Sequence, residues 1–273
     1  TAALTGAIHT PSMSPYLPES EISRFNRFQE TGVEFPVSAD FHRVMQAAKR
    51  VHALSEGAWD GTVNPLVDLW GFGRAGRGGE PPPAEKIAAL LGEVGFDAIE
   101  IREHGALVKR RASVTLDLSS IAKGFGVDQV AEAVRGFGFT DFLVEIGGET
   151  YASGRRRDAQ PWRVGISTPR PDALPEQIHA VVTLQDQALA TSGDYRNFFI
   201  KNGVRYSHII DPRTGYPVAN RVVSASPPLP ELASERRVVL VGCGARKDAD
   251  DQRLLAVRRA SMRESAQGGM LTL

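Results

Sequence analysis

The sequence predicts an α+β fold with largely antiparallel sheets flanked by helices. Short β-rich runs and amphipathic helical segments are intermixed along the chain instead of alternating as regular βαβα units. Two of the β-rich runs are separated by only a few turn residues, so neighbours in sequence are expected to pair as a hairpin. The composition, 42% hydrophobic and 23% charged over 273 residues, is that of a globular chain long enough to bury a sizeable core. Lys plus Arg number 32 and Asp plus Glu number 32, a formal net charge of zero. That balance argues against a protein that blankets nucleic acid or an anionic membrane with positive charge. One cysteine, Cys243, excludes an internal disulfide framework and a multi-cysteine metal cluster. No apolar run approaches the roughly 18 residues needed to cross a bilayer. The opening Thr1-Ala2-Ala3-Leu4 shows neither the basic nor the apolar region of a signal peptide.

The elements follow in order. Phe41, Val44, Met45, Ala48 and Val51 recur at helical spacing within Phe41–Leu54, and Ala84–Leu91 reads as a further helix ending near Gly92. Between them lies a Gly/Pro-rich loop, Gly71 to Pro83. Its Gly71-x-Gly73-x-x-Gly76 spacing matches a dinucleotide loop only superficially, because a helix-like segment precedes it where a strand is required. Residues 98–101 and 106–109 are expected to pair around Glu103-His104-Gly105, and Val114–Asp117 reads as another β run. Val127, Val130, Ala131 and Val134 then mark an amphipathic helix stopped by Gly136 and Gly138. Strands are expected at Phe142–Ile146, Trp162–Ile166, His179–Leu184 and Ala188–Thr191. After Ser226-Pro227-Pro228-Leu229-Pro230 the only β-like run is Val238–Val241, and residues 245–265 are dense in charge.

Two segments concentrate chemistry. In Asp117-Leu118-Ser119-Ser120-Ile121-Ala122-Lys123-Gly124 a β run delivers Asp117 to a hydroxyl-bearing loop before a helix. A helix start favours anions, Lys123 adds positive charge, and Ser120 and Asp117 suit a hard cation. The same residues also fit a plain helix cap with a surface lysine. Ser207-His208-Ile209-Ile210-Asp211-Pro212-Arg213-Thr214-Gly215 runs a strand into a Pro/Gly turn, offering His208 as a proton acceptor and Arg213 as a phosphate partner. It equally fits an ordinary turn in which Asp211 bonds its own backbone. Trp59 and Trp70 could stack on a planar ligand or serve as core.

Taken in order, six motifs resemble the ApbE family, the FAD:protein FMN transferases. They are Ser20-Glu21-Ile22-Ser23-Arg24-Phe25-Asn26; Gly57-Ala58-Trp59-Asp60-Gly61-Thr62-Val63-Asn64-Pro65-Leu66 with Leu69–Gly73; Asp117–Gly124; Glu145-Ile146-Gly147-Gly148-Glu149; Thr191-Ser192-Gly193-Asp194-Tyr195; and His208–Gly215. The resemblance covers about residues 12–225. It implies a T-fold-like α+β architecture and Mg²⁺-dependent transfer of FMN from FAD to a threonine hydroxyl of a partner flavoprotein, with AMP released. It implies that Ala58, Trp59 and Asp60 line the FAD site, that Asp117, Lys123 and Ile210 contact FAD, that Asn26 approaches it and that Ser120 offers oxygen to Mg²⁺. His208 is then the expected base for the acceptor hydroxyl, with Asp211 as a second catalytic group and Arg213 at the phosphates. A periplasmic or inner-membrane-associated location follows from the same resemblance. Residues 1–225 are expected to form the flavin transferase domain, with 226–273 a divergent tail. The family's later Ala-Asp-x-x-x-Thr segment, whose Asp and Thr complete the Mg²⁺ site, is absent where Arg236 stands; Asp248, Asp250 and Asp251 lie further on. An FAD-binding protein of impaired catalysis, or an FAD pyrophosphatase yielding FMN and AMP, is the alternative expectation.

Overall fold

Ser20 opens the first helix, α1 (Glu21–Arg27), by accepting a hydrogen bond from the Ser23 N–H at 3.1 Å, which satisfies one of the helix's unpaired first-turn donors. The computed structural model describes residues 13–73, 76, 79–174, 177–219, 222–226 and 228–229. After strand β1 (Glu34–Pro36), Ser38 caps α2 (Ala39–Leu54) in the same way through the Phe41 N–H. The five apolar residues at helical spacing in α2 are all buried, as the sequence predicts. Beyond α2 the chain reverses through a Schellman closure: Gly57 N–H bonds His52 C=O at 3.0 Å and Glu56 N–H bonds Ala53 C=O at 3.2 Å, with Glu56 left-handed at φ +50°. Helices α3 (Asn64–Leu69) and α4 (Ala84–Leu91) follow, then β2 (Ile99–Arg102) and β3 (Ala106–Lys109). These strands form the expected hairpin, and β1 adds to its far side in the antiparallel order β1-β3-β2.

Residues 114–117 depart from the expectation. They alternate buried and half-buried, with Val114 and Leu116 inside, yet belong to no strand. Leu116 pairs with the Asn26 side chain instead of a neighbouring backbone. Helix α5 (Ser119–Gly136) then starts about two turns before Val127, where the apolar repeat begins; at this start the Asp117 carboxylate accepts from the Ser119 N–H at 2.8 Å.

The chain divides into two compact units, and the division falls inside α5. Among the described residues the first comprises residues 13–122 with 197–219, and the second holds residues 123–196 together with those from 222 onward. Residues 1–225, expected to form one domain, contribute to both units. In the second unit β4 (Phe142–Ile146), β5 (Glu149–Ser153) and β8 (Gln187–Leu189) build an antiparallel sheet, and β6 (Trp162–Ser167) pairs with β7 (Ile178–Leu184). β9 (Ser192–Gly193) comes next. The chain then returns to the first unit as the hairpin β10 (Phe198–Lys201) and β11 (Val204–Ser207) before β12 (Ser224–Ala225) and β13 (Pro228–Leu229), which pair with β9 and β8. Val127 and Ala131 of α5 pack on Val144, Tyr151 and Ala188 of the four-stranded sheet. In the first unit Leu66, Trp70, Ile87 and Ile210 form a separate cluster. Among the described residues no helix is long and apolar enough to cross a membrane. The Val238–Val241 run and the charged segment 245–265 lie outside the described residues.

Candidate active site

The loop after α2 is built by its own polar side chains. Ser55 Oγ accepts from the Trp59 N–H at 3.0 Å, and His52 Nδ1 lies 2.9 Å from the Trp59 carbonyl. Asp60 is buried. One of its oxygens accepts from the Thr62 N–H at 2.7 Å and the Thr62 hydroxyl at 2.6 Å, and the other from the Phe96 N–H at 2.9 Å. Its side chain thereby ties residues 60–62 to the turn before β2. Trp59 is 8% exposed, tilted against Phe96 at 6.0 Å, so its ring belongs to the core. Its indole N–H reaches Ser120 Oγ at 3.0 Å, joining the loop to the start of α5. Gly61 makes the approach possible: its carbonyl accepts from the Asp117 N–H at 2.7 Å, and a Cβ there would sit 3.0 Å from the Trp59 ring.

Asn26 completes this arrangement from α1. Its Nδ2 donates to Leu116 C=O at 2.9 Å and its Oδ1 accepts from Leu116 N–H at 2.7 Å. The amide thus stands in for a strand neighbour and fixes the extended residues that present Asp117. Asp117 spends one oxygen on the Ser119 N–H, so Asp117 and Ser120 are brought to the same helix start. Ser120 Oγ and the second Asp117 oxygen are hard donors, but two oxygens do not make a Mg²⁺ shell. Among the described residues no three His, Cys, Asp or Glu side chains gather as metal ligands. The described residues do not by themselves fit the ion; Arg236 and Asp248, Asp250 and Asp251 lie outside them.

In the second unit Lys123 stands in the second turn of α5, not at its first residues. Its ammonium is 2.7 Å from both oxygens of Glu149 and 3.3 Å from Gly147 C=O. Glu149 ends the Glu145–Glu149 motif, and nothing in the residue pattern singles it out as a partner of the lysine. No spacing signal joins it to Lys123, 26 residues earlier; the hairpin register after the Gly147-Gly148 turn brings the two together.

The His208–Gly215 segment belongs to the first unit. His208 Nδ1 lies 3.1 Å from the Asn197 carbonyl, and its ring meets the edge of Phe72 at 6.5 Å. An Nδ1–H donated to that carbonyl leaves Nε2 as a proton acceptor. Ile210 forms a lone β-bridge with Pro217 and is buried against Leu66 and Trp70, rather than ending a strand over 207–210. Asp211 and Arg213 engage one another: Arg213 Nε and Nη2 bind the two carboxylate oxygens at 2.9 and 2.7 Å, and the Arg213 N–H adds a third bond at 2.9 Å. Partial burial pushes the Asp211 carboxyl up, but the Arg213 hydrogen bonds and charge outweigh it and hold it below the ordinary carboxylate value. Asp211 is therefore a weak proton acceptor that shapes the turn. Gly215, at φ +77°, lets Trp70 Nε1 donate to its carbonyl at 2.8 Å.

The sequence pattern of the ApbE family matches residues 7–226. A Haemophilus influenzae protein named FAD:protein FMN transferase is 42% identical over 215 residues, covering 78% of this chain and 62% of that protein. One of the same name from Vibrio cholerae is 46% identical over 215 residues, covering 78% and 63%. The chain thus spans less than two thirds of the length of these curated relatives. The structure of flavin transferase ApbE from Vibrio cholerae superposes with a TM-score of 0.72 at 42% identity over 82% of this chain and 70% of that one. The apo flavinyl transferase ApbE of Pseudomonas stutzeri does so at 0.72 and 35%, covering 82% and 68%. These likenesses bear out the mixed helix and antiparallel sheet fold, and the chain belongs to the ApbE family.

Proposed function

We propose that this chain transfers FMN from FAD to a threonine hydroxyl of a partner flavoprotein, releasing AMP. The threonine Oγ attacks the phosphorus on the flavin side of the diphosphate. The bond from that phosphorus to the bridging oxygen breaks, AMP departs with the oxygen, and the hydroxyl proton passes to His208 Nε2. The observation that carries the reading is the His208 Nδ1 contact with the Asn197 carbonyl, which selects the tautomer a general base needs. Lys123 supplies positive charge to the phosphates, and the loop from Ala58 to Asp60, with Asp117 and Ile210, shapes the FAD pocket. Transfer of this kind depends on positioning and charge neutralisation more than on covalent help from the protein. Ser120 and Asp117 would supply two of the oxygens that a Mg²⁺ ion at the diphosphate needs. The acceptor would be met in the periplasm or at the inner membrane.

The test incubates the chain with FAD, Mg²⁺ and a threonine-bearing flavoprotein, then reads in-gel flavin fluorescence and AMP. His208→Asn should lower labelling by roughly 10²–10⁴-fold, the usual worth of a positioned base, while FAD affinity stays within a few-fold of the parent. FMN and AMP without labelled protein would replace transfer with hydrolysis. FAD recovered intact would replace it with a carrier role.

A further inference from the structure

The turn between β4 and β5 is a fixed cradle for one ammonium. Ile146 pairs with Glu149, so the connection has only two residues, Gly147 and Gly148, at φ +57° and +96°. That is the geometry of a tight hairpin turn whose twist matches the strands it joins. A Cβ on Gly147 would lie 3.2 Å from Lys123 Cδ, so the turn backbone sits directly beside the lysine stem. The Glu149 side chain is 10% exposed, whereas that of Lys123 is 46% exposed. Strand register and burial hold the carboxylate; the lysine is a flexible stem on a helix surface. The ammonium is therefore the partner that can leave.

We infer that Glu149 determines specificity, as an internal counter-anion that occupies Lys123 until a diphosphate takes it over. The inference rests on Lys123 being a phosphate contact, as proposed above. An ammonium held 2.7 Å from both oxygens of a carboxylate presents little net charge to a visitor. A ligand with no phosphate gains nothing there, and one with a single phosphate gains little. A diphosphate brings more charge and more acceptor oxygens, enough to compete for the charge-assisted bonds. Glu149 thus works as a repulsive element, raising the ratio of dinucleotide to mononucleotide binding.

The experiment titrates ADP, AMP and riboflavin into the full chain and into Glu149→Gln, Lys123→Ala and the double variant, with thermal melts confirming the fold. Glutamine keeps the shape and an oxygen for the lysine while removing the charge. ADP should bind at least tenfold tighter to Glu149→Gln, and AMP should gain more than ADP. Riboflavin should be unchanged, and both gains should vanish when Lys123 is alanine. Unchanged or weaker ADP binding in Glu149→Gln, or a gain that survives without Lys123, overturns the inference while Lys123→Ala still weakens ADP. A folded Lys123→Ala protein that binds ADP and FAD like the parent overturns the phosphate contact, and the inference with it. Should the glutamine variant not fold, Glu149→Asp keeps the charge at shorter reach and should tighten ADP at least threefold; no change there is equally fatal.

Discussion

Replacing Lys109 by methionine should change how stability responds to pH. Lys109 closes β3 and is 0% exposed. Its ammonium donates to Ala112 C=O at 3.3 Å and Asn26 C=O at 3.5 Å, and lies 4.9 Å above the Phe25 ring centroid. Among the described residues no carboxylate pairs with it. Burial pushes its pKa from 10.5 down to about 8. At about 1.4 kcal/mol per unit, this amounts to roughly 3 kcal/mol carried by the folded state below pH 8. Below pH 8 both states hold the proton and the penalty is complete. Between pH 8 and 10.5 only the unfolded chain holds it, so stability climbs with pH; above 10.5 the penalty is gone. Methionine retains the stem volume without the charge. The two lost carbonyl bonds shift its stability by an amount independent of pH. Urea unfolding of parent and Lys109→Met from pH 7 to 10.5 should therefore show the variant's relative stability falling by roughly 3 kcal/mol. All other titrating groups cancel in that difference. Parallel curves would refute the argument and mean that Lys109 is solvated or paired in solution.

Asn26→Ala should cost about 3 kcal/mol in thermal or urea unfolding, because it leaves both the N–H and the C=O of buried Leu116 unpaired. Asn26→Asp, which keeps the acceptor alone, should fall between the two. Gly215→Ala should cost roughly 2–4 kcal/mol, from a left-handed φ of +77° and a Cβ 2.6 Å from Ile87 Cγ2. Its local signature is a shift in Trp70 fluorescence, since the Trp70 indole bonds the Gly215 carbonyl.

Elements whose boundaries depend on apolar periodicity were legible, and those set by side-chain hydrogen bonds were not. The α2 stripe and the β2–β3 hairpin followed from spacing, because burial of one face decides them. The start of α5 did not, since the Asp117 carboxylate accepts from the Ser119 N–H about two turns before Val127, and the buried Ile121 and Phe125 of those turns stand among Ser, Lys and Gly residues that blur the periodicity. The 114–117 run alternates like a strand because it is half-buried like one, but its partner is the Asn26 amide, 90 residues away in sequence. Lys109 shows the same limit: one lysine ending a short apolar strand reads as exposed, and only the loop 110–113 with Asn26 encloses it.

The site residues divide along the same line, which explains why the motifs were recognisable before their tasks were. Asp60 bonds Thr62 and Phe96, Asn26 bonds Leu116, Asp211 bonds Arg213, and Gly61 and Gly215 admit backbone where a Cβ would collide. Each is a polar or small residue whose identity is dictated by one local geometry, so the string of letters is distinctive even without a bound ligand. Groups left able to act on one are fewer: the Nε2 of His208, one oxygen of Asp117 and the Ser120 hydroxyl. Chemistry needs those few atoms at fixed positions, and most of each motif is spent fixing them. A motif of this kind therefore reports architecture first. The assignment of a role to any single residue has to come from which of its atoms the architecture has already used.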